Sequence, residues 1–362
     1  MKNQIAKFPY QPYFFRMSDE QDTLRLDELK KSGEIVFIYD EIERQLNELI
    51  RCRYPAAAPS GGEVQYMEEI LGGRAAEDYG VWVYYPWRKT LVHILEEKEF
   101  VEVRTNRNQL KITGDERELL SQKKIGIIGL SVGQSIALTI AMERVCGVLR
   151  LADFDELDLS NMNRLRTGVF NIAVPKVVIA AREIAEIDPY LKVEIFPEGI
   201  NRSNYDRFFN EQGSLDVLVE VCDSFDVKLE SRFYAKDLKI PVVMDTNDRG
   251  MLDIERFDLD PGRPVFHGLA DDLTPAKLSN LSAEEKGRYL MKIVDAEKLS
   301  LKMKRSVPEI RRTIVSWPQL ASEVVLGGAM TTAVCRRILL GERVPSGRYY
   351  IDLDQLISSE NL

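Results

Sequence analysis

The stretch from Lys124 to Lys176 limits what this chain can fold into more than any other. It reads KIGIIGLSVGQSIALTIAMERVCGVLRLADFDELDLSNMNRLRTGVFNIAVPK. Ile125 to Ile128 is a short apolar run, and a small-residue turn begins at Gly129. A helical pattern continues to about Arg144, and a second apolar run from Val148 to Ala152 ends in Asp153. This strand–turn–helix–strand order predicts an α/β fold with a Rossmann-like, mostly parallel sheet and helices on both faces. Ser160, Asn161, Asn163, Arg164 and Lys176 then follow. Two cations just past the carboxyl edge of such a sheet suit a triphosphate, whose charge must be neutralised, better than a nicotinamide.

The alternation continues downstream. Helices are expected from Lys176 to Glu186, Asn204 to Asn210 and Lys228 to Leu238, and strands from Lys192 to Pro197, Leu215 to Val221 and Pro241 to Asp245. Asp271 to Lys304 is charged and helix-prone. Val324 to Leu340 reads as a buried helix and Tyr349 to Leu353 as a last strand. Ahead of the nucleotide half, Glu34 to Arg53 has helical apolar spacing, and Pro55 to Gly62 reads as a loop. Gly80 to Trp87 and Thr90 to Leu95 read as paired strands. The expected division is therefore an N-terminal α+β domain over 1–97, a nucleotide-binding domain over 98–267, a helical insertion over 268–312, and a return to the main domain over 313–362. The N-terminal part is read as a packing appendage or, as the family resemblance given below implies, as a substrate clamp.

The chemistry concentrates in a few positions. In GLSVGQ, Gly129 and Gly133 permit a tight turn that aims backbone N–H groups at a phosphate, while Ser131 and Gln134 stand where a dinucleotide fingerprint has its second and third glycines. Asp153 is placed to accept from ribose hydroxyls. Asp155 shapes the turn beside it, and Asn161 offers an amide to a phosphate or to its own loop. Arg164 and Lys176 are the candidate charge clamp, fixed cations that neutralise the charge of a triphosphate. Asp223 follows the apolar strand and suits Mg²⁺, which takes few protein ligands beside a triphosphate; Asp226 is the weaker alternative.

These residues resemble the ThiF/MoeB family, the bacterial relatives of ubiquitin-activating enzymes. LADFDELDLSNMNR is similar to the family's D-x-D-x-(V/L)-x-x-S-N-x-x-R signature, VPK supplies its lysine, and LVEVCDSFD its magnesium aspartate. RTNRNQ resembles its R-x-x-R motif, with Arg107 in the place of an arginine that reaches a partner subunit's ATP. The resemblance covers roughly Arg104 to Asp260 and Ser316 to Asp352. It implies a homodimer that uses ATP and Mg²⁺ to adenylate the C-terminal carboxylate of a small protein or peptide. Where the family often has glutamine after the signature arginine, this chain has Leu165.

Composition narrows the rest. A net charge of −9 opposes a nucleic acid as main partner. No apolar run approaches the ~20 residues that span a bilayer, and the opening MKNQIAKFPYQPYFF has no continuous apolar core, so a cytoplasmic protein without a membrane partner is expected. Many ThiF/MoeB relatives hold a structural zinc with two C-x-x-C pairs. Cys52, Cys146, Cys222 and Cys335 form no such pair, and only His93 and His267 could join them, so no zinc is expected. No cysteine lies in the insertion, which disfavours a thioester intermediate and leaves Cys222 as the one credible nucleophile. Two rivals remain: a regulatory module that keeps the fold and loses catalysis, which the altered glycine loop favours, and an NAD(P)-dependent oxidoreductase, which the Arg164–Lys176 pair opposes.

Overall fold

The computed structural model describes residues 7–56, 63–270 and 273–358. Most of the loop expected at Pro55 to Gly62 lies outside them. Two compact units form: residues 2–115 with 185–190, and residues 116–184 with 191–362. The segment 268–312 clusters with the second unit.

The first unit is built on strands β1 (Tyr13–Arg16), β2 (Phe37–Asp40), β3 (Val81–Tyr85) and β4 (Thr90–Ile94), with helices α1 (Glu20–Ser32), α2 (Ile42–Arg53), α3 (Glu63–Leu71) and α4 (Glu97–Arg104). The sheet order is β1-β3-β4-β2; β3 and β4 form the expected hairpin, and β2 lies parallel to β4. Helix α2 buries Ile42, Leu46, Leu49 and Ile50, the i, i+4, i+7, i+8 face of an amphipathic helix. The first part of the expected helix, Phe37–Asp40, is instead strand β2. His93 stacks on Trp82 and has both ring nitrogens engaged, by Asp40 Oδ1 at 2.8 Å and the Tyr79 carbonyl at 2.7 Å. It is a structural histidine.

Helix α5 (Gly114–Ser121), which begins in the last residues of the first unit, leads into β5 (Lys124–Ile128) of the second. Then come α6 (Gly133–Glu143), β6 (Val148–Ala152), α7 (Lys176–Ile187), β7 (Lys192–Phe196), α8 (Tyr205–Asn210), β8 (Val217–Glu220), α9 (Phe225–Asp237), β9 (Val242–Thr246) and β10 (Met251–Glu255). The charged insertion forms α10 (Pro275–Leu278), α11 (Ala283–Ile293) and α12 (Leu301–Ser306). Then α13 (Ala321–Leu339), β11 (Gly347–Tyr350) and α14 (Leu353–Leu356) close the fold. The seven-stranded sheet runs β11-β10-β9-β8-β5-β6-β7; its five strands from β9 to β7 are parallel, and β10 and β11 are added antiparallel. The order reverses between β5 and β8, and that switch point is where open α/β sheets take ligands.

Three boundaries depart from expectation. Strand β10 has no counterpart in the pattern, because its carboxylates Asp253 and Glu255 face inward to ion pairs rather than to water. Helix α9 starts at Phe225, since Ser224 caps it by accepting from the Val227 N–H at 3.4 Å. The last strand is Gly347–Tyr350; Asp352 instead accepts from the Gln355 N–H and starts α14. No helix among the described residues is long and apolar enough to cross a membrane.

Candidate nucleotide site at the carboxyl edge of the sheet

The turn after β5 requires its first glycine. Gly129 has φ +90°, and a Cβ there would sit 2.8 Å from Cys222 Cα and from the Val221 carbonyl oxygen. Only glycine lets the β5 turn and the end of β8 approach this closely. A Cβ on Gly133 would lie 2.9 Å from Ile127 Cγ2, which keeps the start of α6 against β5.

The two departures from the glycine fingerprint carry contacts of their own. Ser131 Oγ accepts from Arg164 Nε at 3.1 Å and Nη2 at 2.8 Å, so the hydroxyl holds the guanidinium over the turn. Gln134 is buried; it donates to Glu183 Oε2 at 2.7 Å and accepts from the Arg166 N–H at 3.1 Å. It ties the start of α6 to both the signature segment and α7. Neither tie could be read from spacing, because the partners lie 32 to 49 residues away.

The acidic and basic groups interlock. Asp153 Oδ2 accepts from the Leu130 N–H at 2.6 Å and Oδ1 from the Asp155 N–H at 2.8 Å. Burial raises its pKa, and the Lys176 charge and these two amides oppose the rise. Lys176, buried at the first residue of α7, donates to Asp155 Oδ2 at 2.7 Å. Asp155 is therefore a counter-ion as well as part of a turn. Asn161 Oδ1 accepts from the Asp158 N–H at 3.1 Å and fixes its own loop, and Asn163 Oδ1 accepts from Arg164 Nη1 at 2.9 Å.

Arg164 is half-buried, and burial lowers its pKa against the opposing pull of Asp223. That influence brings the end of β8 electrostatically to the signature arginine. Asp223 is exposed, whereas Asp226 is taken up by Lys286 Nζ at 2.7 Å. Of the two, Asp223 is the carboxylate left to face a hydrated cation, and the arrangement fits Mg²⁺ held by one protein ligand. No cluster of three or more His, Cys, Asp or Glu with metal-site geometry occurs among the described residues. Arg107 lies exposed in a short turn of the other unit, Asn106–Asn108.

Residues 105–265 match the ThiF family. This segment is a ThiF-family domain. Over 338 residues, the chain is 41% identical to an uncharacterized protein, MT1398, of Mycobacterium tuberculosis (strain CDC 1551 / Oshkosh); the match covers 93% of this chain and 45% of the relative. The chain thus spans about half the length of that relative. It is 25% identical to tRNA threonylcarbamoyladenosine dehydratase 2 of Saccharomyces cerevisiae, over 41% of this chain and 33% of that one. It is 31% identical to ubiquitin-like modifier-activating enzyme 5 of Drosophila erecta, over 31% of this chain and 30% of that one.

The cysteines of the ThiF domain and its surroundings are free. Cys146 and Cys335 are fully buried, and burial pushes the Cys335 thiol up to about 12. Cys222, next to Asp223, is also pushed well up by burial and by Glu220. A thiol held protonated in this way is a poor nucleophile. His267 donates from Nε2 to Asp253 Oδ1 at 2.8 Å and accepts from Arg263 at Nδ1, which places it in the ion network under β10.

Proposed function

We propose that the chain is an ATP-dependent adenylyltransferase that activates the C-terminal carboxylate of a small protein or peptide. A carboxylate oxygen attacks the α-phosphorus of ATP, the bond to the bridging oxygen breaks, and pyrophosphate leaves with the electron pair. The carboxylate is already a nucleophile, so positioning and charge neutralisation supply the rate. The observation that carries this reading is the pairing of Arg164, fixed by Ser131, with Lys176, fixed by Asp155, beside the switch point between β5 and β8.

In this reading the turn at Gly129, Ser131 and Gly133 faces the phosphates, Asp153 takes the ribose and Asp223 holds Mg²⁺. Arg107 acts across a homodimer. Asp153 has a free lone pair on each oxygen beyond its two backbone contacts, which suits the ribose role. A small-protein or peptide substrate is in keeping with the likeness to a ubiquitin-like modifier-activating enzyme. The likeness to a tRNA dehydratase would suggest an RNA substrate, which a net charge of −9 opposes.

The test is twofold. Mg·ATP at ~100 times its Kd adds ~2.7 kcal/mol of stability and should raise Tm clearly, whereas NADH should not. ATP–pyrophosphate exchange should then appear with a subset of peptides from a library with free C-termini. Stabilisation by NADH in place of ATP would overturn the reading.

A further inference from the structure

A second polar cluster lies on the same carboxyl edge, where α13 crosses the end of β9. Asp245, near the end of that strand, is 4% exposed, and neither carboxylate oxygen has a hydrogen-bond partner among the described residues. Asn247, two residues on and 7% exposed, has neither amide atom engaged. Thr331 on α13 is fully buried with an unpartnered hydroxyl. Unsatisfied groups of this kind each cost free energy, and native interiors contain few of them. Asp245 and Asn247 lie two residues apart at the end of β9, and Gly327, one turn before Thr331 on α13, abuts Asp245.

Helix α13 has a shape that makes room for them. A Cβ on Gly327 would collide with Asp245 Oδ2, and one on Gly328 would lie 2.5 Å from Ser135 Oγ in the first turn of α6. The paired glycines let one helix approach both β9 and the start of α6, next to the Gly129 turn. Thr331 is one turn beyond Gly327 on the same face, and helical side chains lean back toward the preceding turn.

The donor set identifies a ligand class. Asp245 supplies two acceptor oxygens, Asn247 one and Thr331 one. Among the described residues no Lys or Arg forms an ion pair with Asp245, and no cation opposes the effect of burial on it. A carboxylate buried without a counter-charge is complemented by a ligand that brings positive charge and several N–H donors. A multi-carboxylate metal site does not fit, since no cluster of three or more acidic, Cys or His ligands is present among the described residues.

We propose that Asp245, Asn247 and Thr331 form a subsite for a primary ammonium or amine group. The inference rests on the adenylating reading only in assigning that group to a substrate; its binding stands on the cluster itself.

Methylammonium chloride is the probe, with potassium chloride and tetramethylammonium chloride at equal ionic strength as controls. Near ten times its Kd, methylammonium should raise the Tm of the chain by ~2 °C over both controls. Asp245→Asn should lose that shift. Gly327→Ala, which drives a methyl group against Asp245, should lose it as well; should that variant not fold, Thr331→Val gives the second reading through a weakened shift. An equal shift from potassium or tetramethylammonium, no shift at all, or a shift retained in Asp245→Asn overturns the proposal. Mg·ATP stabilisation of the unmodified chain is read in parallel. Its absence alongside an intact methylammonium shift would refute the adenylating reading and leave the amine subsite standing.

Discussion

Asp153 and Asp245 end parallel strands of one sheet, and burial raises both, yet their surroundings are opposites. Asp153 is answered by the Lys176 charge and by the Leu130 and Asp155 amides. Asp245 is answered by no group among the described residues. The first carboxylate is held by its own chain segment, since all its partners fall between Leu130 and Lys176. The second faces a helix some eighty residues further on and has two glycines where side chains would otherwise satisfy it. A carboxylate fixed by two amides and a nearby lysine is held in place, and its remaining lone pairs suit a neutral hydroxyl. A group without partners is itself a candidate to bind.

The contrast is broken most forcefully at the cations. Arg164→Ala or Lys176→Ala should lower pyrophosphate exchange ~10²–10³-fold with the fold intact, as measured by initial rates and circular dichroism. Ser131→Ala keeps the arginine but removes its hydroxyl anchor. A hydrogen bond to a charged group contributes about 1.5 kcal/mol, so roughly a tenfold loss is expected. Rates within twofold of the unmodified chain for Arg164→Ala or Lys176→Ala would return those cations to the role of surface charges.

The second way to sharpen it is pH. The Asp245 carboxyl is raised by burial from 3.8 to about 7, and no charged group adds to or opposes that shift. The folded state therefore holds a proton that the unfolded state has released. The stabilisation is full below ~4, falls as pH rises and is lost above ~7, with a slope of up to about 1.4 kcal/mol per unit. Glu220 and Asp253 are lowered by their cations and act in the opposite sense, so the measurement is the difference between the chain and Asp245→Asn. That difference, from chemical denaturation between pH 4 and pH 8, should grow in favour of the variant as pH rises. A flat difference would mean that Asp245 titrates normally.

The same contrast explains what could be read in advance. Strands β5 and β6 and the start of α7 sit where their apolar runs place them, and Asp153, Arg164 and Lys176 stand out because their spacing is local. Ser131 and Gln134 read as defects in a glycine pattern, because their hydrogen bonds go to Arg164 and Glu183, far off in sequence. Strand β10 was hidden for a related reason. Asp253 and Glu255 resemble a solvent-facing alternation, yet Arg348, His267 and Arg232 neutralise them in the core. Asp245 gave no signal at all, since a lone strand-end aspartate looks the same whether it is solvated or buried.

The smallest effect is expected at Cys222, which lies on the boundary between the two regions. Its backbone closes over Gly129, and its thiol is turned toward the Ser224 carbonyl at 3.8 Å. Glu220, which accepts from the Cys222 N–H at 2.9 Å, adds a negative charge that works against a thiolate. Lys228 and Arg232 are nearby, but both are spent on Glu220. A thiol becomes a nucleophile when a cation or helix N-terminus lowers its pKa, and here burial and a carboxylate raise it. Cys222→Ala should therefore leave pyrophosphate exchange within about twofold of the unmodified chain, and no thiol-sensitive adduct with an activated peptide should appear on a non-reducing gel. An adduct seen in the unmodified chain and lost only in Cys222→Ala would show that peptide binding reverses the local electrostatics. It would also place the acyl group on the enzyme before any external amine reaches it.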